Sequence, residues 1–252
     1  MFKFDNVLSS ILQLSKDPIK NYNLLREYIL DVVTTHKPSG NPMEEHNIYF
    51  LFNALLKIDD KLPKDEYQKI HDWAIKIADA QIRTFNEGFK TMNNFQSHRI
   101  HIVANIGRTY NHATFLDWAH THLLKQIENN LHPDGNSLDF IERDSLTYHV
   151  FNLQALRFAL ENLNVHNPTF DYYNYKSPSG SSIQQSVRFL IPYIQGKLQN
   201  YMFVNSKFLS DKTTIHVKEY NKQWSKENAR NLLYLCMKYD PALEQIYKAN
   251  YN

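Results

Sequence analysis

Apolar residues recur at three- and four-residue spacing through most of this chain, while strictly alternating stretches are scarce, and that pattern predicts a mainly α-helical protein. An amphipathic segment runs from about Phe4 to Leu14. In the next, from about Pro18 to Val33, Leu24, Leu25, Tyr28, Ile29 and Val32 fall on one stripe. HKPSGNP at His36–Pro42 then stops the pattern, because two prolines and a glycine cannot continue a helix. Further helices are predicted at about Met43–Ile58, Lys64–Glu87, Phe95–Tyr110, Ala113–Asn130, Ile141–Leu163, Ser181–Gln195 and Ser225–Lys238. HPDGNS at His132–Ser137 and SPSGSS at Ser177–Ser182 separate them, and Tyr201–Val217 reads as two short strands or an irregular excursion. Short joints between successive helices make antiparallel hairpins, and no fixed-period repeat is visible. The expectation is one all-α domain over residues 1–252, a closed or partly closed ring of helical hairpins.

Composition narrows the partners more than the fold. With 42% hydrophobic and 13% aromatic residues the chain can bury a core. Its 28 basic and 26 acidic residues leave a formal charge of +2, which is no polycation, so nucleic acid is not expected and anion binding must be local. No apolar run approaches the ~20 residues of a membrane helix, and the N-terminal segment is a poor signal peptide, so a soluble chain without a membrane partner is expected. Cys236, inside LLYLCMKY, reads as an inert core thiol, and Trp73, Trp118 and Trp224 read as packing residues.

Two segments carry the chemistry. In NNFQSHRIHIVANI, helical spacing puts Asn94, His98, His101 and Asn105 on one polar stripe, with Ile102, Val103 and Ile106 left to face the core. Such a stripe lines a cleft, or else its members satisfy one another between packed helices. In ERDSLTYHVFNL, Asp144, Tyr148 and Asn152 share a side, with Arg143 and His149 adjacent. A phenol beside cations both gives and takes protons, which singles out Tyr148. There is no HExxH, no structural-zinc spacing, no GxSxG elbow, no phosphate loop and no dinucleotide fingerprint, so no cofactor is expected. His98 and His101, one turn apart, keep a metal-dependent hydrolase as a rival. Asp139, Glu142 and Asp144 supply the carboxylates of a glycosidase, yet their crowding suits a helix N-terminus equally well.

At these residues the chain resembles the alginate lyase family of polysaccharide lyases, whose members fold as α/α toroids. The likeness runs in order through HKPSGNP, NNFQSHRIHIVANIG, FLDWAHTHLLKQIENNLHPDGNSLDFIERDSLTYHVFNLQAL, SGSSIQQSVRFLIPYIQGK and WSKENARNLLYL. It implies β-elimination on an anionic, uronic-acid-containing polysaccharide or oligosaccharide, alginate or glucuronan-like. The carboxylate is neutralised, the C5 proton removed and the C4–O bond broken. By this resemblance Asn94 and Arg143 bind the carboxylate, and Tyr148 and His98 move protons, with Arg99 and His149 as reserve substrate-binding candidates. Better-known members of the family carry histidine where this chain has Phe95, and related toroid lyases carry an NNxxSH pattern like this one, so by the resemblance the imidazole falls to His98, one turn beyond Asn94. The family also implies a periplasmic or secreted location. The alternative on the same fold is an inactive carbohydrate-binding or interaction protein.

Overall fold

The computed structural model describes residues 2–87 and 92–251. Among these residues the regular structure is helical, and two isolated antiparallel bridges, Leu131–Ser137 and Tyr201–Gln223, stand in place of any sheet. The chain divides into two compact units, one made of Met1–Lys90 and His98–His120, the other of Thr91–Ser97 and Thr121–Asn252.

The first unit carries α1 (Phe2–Leu14), α2 (Tyr22–Thr35), the short α3 (Pro42–Glu45), α4 (Tyr49–Leu55) and α5 (Lys64–Asn86). It also holds most of α6 (Asn94–Thr109) and the start of α7 (Ala113–Asn130). α1 packs on α2 and α4, and α2 on α5, around fully buried Leu8, Ile11, Leu25, Leu51, Phe52, Ile70 and Ile77. α2 begins four residues later than its apolar stripe predicts. Side chains compete for the backbone ahead of it: Asp17 accepts from the Lys20 amide at 3.3 Å, and the Asn21 side chain donates to the Leu14 carbonyl at 3.1 Å. After α2 the chain turns through Gly40 at φ +72°, where a Cβ would sit 2.6 Å from the Ala80 carbonyl oxygen, so only glycine fits. Asn41 caps α3 by accepting from the Met43 amide at 3.0 Å, with Pro42 at the first helical position. The helix predicted at Met43–Ile58 is divided into α3, a 3-10 turn over His46–Ile48, and α4. At the division His46 donates through Nδ1 to the Met43 carbonyl at 3.0 Å.

The second unit contains α8 (Leu138–Arg143), α9 (Leu146–His166), α10 (Ile183–Arg188), α11 (Ile191–Ile194), α12 (Leu209–Thr213), α13 (Glu227–Cys236) and α14 (Leu243–Tyr251). α9 packs against α8, α10 and α13, and α13 against α14. Being surrounded, α9 buries polar and apolar side chains alike: Leu153, Leu156 and Leu160 beside His149, Asn152 and Arg157. Cys236 is wholly buried and burial pushes its thiol up to about 12, the behaviour of a packing residue. Trp73 and Trp224 are buried as predicted, and Trp118 is partly exposed.

Two predicted helices of this unit are broken. Ser181–Gln195 becomes α10 and α11, since Pro192 lacks the amide a continuous helix needs. Ile141–Leu163 is interrupted at Asp144, whose backbone is left-handed at φ +48°. Residues Tyr201–Val217 resolve as an irregular excursion with the one short helix α12.

Candidate active site

The break at Asp144 governs what the site can be. α8 starts from the HPDGNS turn, where Ser137 accepts from the Phe140 amide at 3.2 Å, and it ends at Arg143. Asp144 then caps it in the left-handed conformation that Asp tolerates better than most residues, with its amide on the Phe140 carbonyl at 2.7 Å. Residues 199–224 form a strap fastened across this break. The Phe203 amide donates to the Asp144 carbonyl and the Lys207 amide to that of Glu142, both at 2.8 Å. The Asp144 carboxylate accepts from the Asn205 amide at 2.7 Å and from the side chains of Asn205 and Asn200 at 3.0 and 3.1 Å. Asp144 is therefore an anchor and no longer shares a helix face with Tyr148.

Arg143 and Tyr148, on separate helices, are brought together under the strap. The Arg143 guanidinium lies 4.7 Å over the Tyr148 ring and 4.5 Å over that of Phe208, and it pairs with the fully buried Asp211. Asp211 also accepts from Ser206 Oγ at 2.5 Å. The Tyr148 hydroxyl meets Nε2 of His216 at 2.9 Å, and His216 stacks on Phe203 with centroids 4.5 Å apart and planes 2° from parallel. Burial raises the pKa of the half-buried Tyr148 phenol, with Asp211 and Asp139 adding, while Arg143 pulls it back. His216 is the residue that sequence reasoning misses. It lies 68 positions from Tyr148, in the segment whose pattern is indecisive, and no local spacing connects the two.

Asn94 sits in a buried amide network of the same unit. Its backbone and side-chain nitrogens donate to Asp139 Oδ1 at 2.9 and 2.5 Å, and Asn130 donates to Oδ2 at 2.9 Å. From Asn130 the chain of bonds continues to Asn152 at 2.7 Å, from Asn152 to Ser97 at 2.5 Å, and from Ser97 to Gln126 at 2.9 Å. Burial raises the Asp139 carboxyl, and these amides oppose it. His149 is fully buried. Its Nδ1 accepts from Ser137 Oγ at 2.7 Å and its Nε2 donates to the Ser186 carbonyl at 3.0 Å, which holds α9 to the start of α8 and to α10. Burial brings this imidazole down to about 4, so it is neutral near pH 7.

His98 and Arg99 fall in the other unit, on the continuation of the helix that begins with Asn94. His98 is buried with the His46 ring edge-on at 5.2 Å. Burial, with His46 and His101 adding, lowers it well below the ordinary histidine range. Arg99 is buried with its guanidinium 5.9 Å from the Phe85 ring, and burial brings its pKa down to about 10. Asn94, His98, His101 and Asn105 are all buried, as are Ile102, Val103 and Ile106, so α6 has polar and apolar faces that are both internal. Among the described residues no group of three or more His, Cys, Asp or Glu is arranged to hold a metal ion, and no helix is long and apolar enough to cross a membrane.

Comparison with known proteins agrees with this architecture. Over 98% of its length the chain superposes on 70% of an alginate lyase from Bacteroides ovatus, with a TM-score of 0.73 at 14% identity. At that identity the likeness is one of fold, and it assigns the chain to the α/α-toroid class. A search of curated proteins finds no match. A family model described as alginate lyase matches residues 26–199, a span running from α2 past α11 that includes Asn94, His98, Arg143 and Tyr148. With more than half of its length matched, the chain belongs to the alginate lyase family of polysaccharide lyases.

Proposed function

We propose that this protein cleaves a uronic-acid-containing polysaccharide, alginate or a glucuronan-like polymer, by β-elimination, with Tyr148 as the residue that moves the proton. The observation that carries this is Tyr148 itself: a half-buried phenol with a guanidinium 4.7 Å over its ring, on a chain of this family. Elimination needs the C5 proton to be acidified, removed and returned to the departing O4. The Arg143 cation favours the phenolate that accepts the proton. Arg143 and Asn94 are the groups assigned to the substrate carboxylate, where neutralisation stabilises the enediolate-like intermediate. Asn94 suits that task because Asp139 fixes its amide in one orientation. His98, the histidine that the family resemblance names for proton handling, lies in the other compact unit and carries no step in this scheme. His149, with both ring nitrogens engaged, serves by fixing the helix that carries Tyr148.

The test records the ultraviolet absorbance of the C4–C5 double bond when the purified protein meets alginate, polymannuronate, polyguluronate and glucuronan. Product is expected from at least one polymer, and Tyr148→Phe is expected to lower kcat by ~10²–10⁴-fold. Binding of a polymer without any unsaturated product would identify an inactive carbohydrate-binding relative instead. A fully active Tyr148→Phe variant would remove Tyr148 from the mechanism.

A further inference from the structure

We infer that His216, delivered by the strap of residues 199–224, is the positioning residue that holds the Tyr148 proton during turnover. The inference rests on the assignment of Tyr148 as the proton-moving group and extends it to a residue that nothing in the family motif contains. Its geometric basis is that Tyr148 Oη and His216 Nε2 stand 2.9 Å apart, a distance for direct proton passage. The two rings are nearly perpendicular, at 88°, and the parallel Phe203 ring at 4.5 Å fixes the imidazole plane. Phe203 is itself at φ +66° and is bound through its amide to the Asp144 carbonyl at 2.8 Å, so the α8–α9 break sets the position of His216.

The proton inventory closes without any further reactant. Tyr148 passes its hydroxyl proton to Nε2 of neutral His216, leaving phenolate and imidazolium. The phenolate takes the C5 proton, and the C–H electron pair becomes the C4–C5 double bond as the C4–O4 pair leaves with oxygen. Tyr148 gives that proton to O4, and His216 then returns the first proton to the phenolate. On the strap, Glu219 has Oε2 4.0 Å from the imidazole Nδ1, and Asp211, paired with Arg143, acts on Tyr148 through space. From the facing helices come Tyr148 of α9, Arg143 of α8 over the Tyr148 ring, and Asp139, which acts on Tyr148 through space. With 24% of its side chain exposed, His216 is also open to solvent.

The experiment compares the intact chain with His216→Gln, His216→Ala and Tyr148→Phe on whichever polyuronate the intact chain cleaves. It measures kcat and KM separately across pH, with circular dichroism as a check of folding. His216→Gln retains a hydrogen-bonding group but cannot hold a proton. It is expected to lower kcat by on the order of 10²-fold with KM little changed, and to alter the dependence of kcat on pH. If His216→Gln keeps the kcat and pH profile of the intact chain while Tyr148→Phe is inactive, His216 has no such role and Tyr148 keeps its own. If Tyr148→Phe is as active as the intact chain, the Tyr148 assignment fails and takes this one with it. A second readout needs no turnover: the ¹⁵N chemical shifts of the His216 ring nitrogens in the intact chain and in Tyr148→Phe. Loss of the phenol is expected to move the Nε2 resonance that meets the hydroxyl, and an unchanged resonance overturns the inference even where no polymer is cleaved or a His216 variant does not fold.

Discussion

Arg143 does three things at once. It pairs with buried Asp211, lies over the Phe208 ring and lies over the Tyr148 ring, so one side chain joins α8, the strap and α9. A lysine keeps the charge but not the flat cation–π contact with two rings, a difference of ~1–2 kcal/mol where the site is shielded from water. Arg143→Lys is therefore expected to cut kcat by about tenfold or more, and to move the Tyr148 phenol to higher pH because the cation that opposes burial is less well placed. Ultraviolet difference titration against Tyr148→Phe reads that phenol directly. At this scale the sequence is half legible. Arg143 and Tyr148 are close in sequence and chemically distinctive, so both can be named from it. His216 and Asp211 cannot, because each reaches Tyr148 or Arg143 only through tertiary folding, 68 positions away in both cases.

Periodicity locates the helices but not their breaks, and the break at Asp144 is the one that matters. The apolar rhythm runs on through Asp144, so spacing predicts one helix from Ile141 to Leu163. What stops it is a set of bonds from the strap, since Asp144 receives Asn200 and Asn205 on its carboxylate and Phe203 on its carbonyl. α14 is absent from the helices that spacing predicts, and in the fold it packs on α13. Asp144→Ala removes both the charged acceptor and a residue tolerant of φ +48°. Charge-assisted hydrogen bonds contribute about 1.5–3 kcal/mol and left-handed strain costs about 1–3 kcal/mol, so a loss of ~3 kcal/mol is expected. Asp144→Gly relieves the strain but still loses the acceptor, and Asp144→Asn keeps the tolerance and part of the acceptor. Chemical denaturation should rank them Asn, then Gly, then Ala in falling stability. Lyase activity should fall with the loosening of the strap even in variants that remain folded; equal activity in all three would mean the strap does not support Tyr148.

For the molecule as a whole, helical class and family are legible because they are carried by repeated, local patterns, while buried polar groups shape its behaviour in ways that composition conceals. A formal charge of +2 predicts nothing about acid stability; the environment of individual histidines does. His149 in the second unit is brought by burial from an ordinary 6.5 down to about 4, and His98 in the first unit is lowered well below its ordinary value. Between those values the unfolded chain binds protons that the folded one refuses. Stability therefore rises with pH across that window and is lost as pH falls from about 6.5 through about 4. For His149 alone, ~1.4 kcal/mol per pKa unit makes the loss roughly 3 kcal/mol between pH 7 and pH 4. Asp139 works in the opposite sense: burial raises its carboxyl, so its contribution is full below the ordinary carboxylate range and declines as pH rises through the raised value. Because the two oppose each other, the pH dependence of the intact chain alone does not isolate either. His149→Gln does, since it removes the titrating group while leaving Asp139 and His98 in place. That variant is expected to be less stable than the intact chain at pH 7, having lost one of the bonds to Ser137 and Ser186. It is also expected to lose roughly 3 kcal/mol less on going to pH 4. Urea denaturation at the two pH values measures the difference, and an identical pH dependence in both proteins would mean that His149 is not held neutral by the fold.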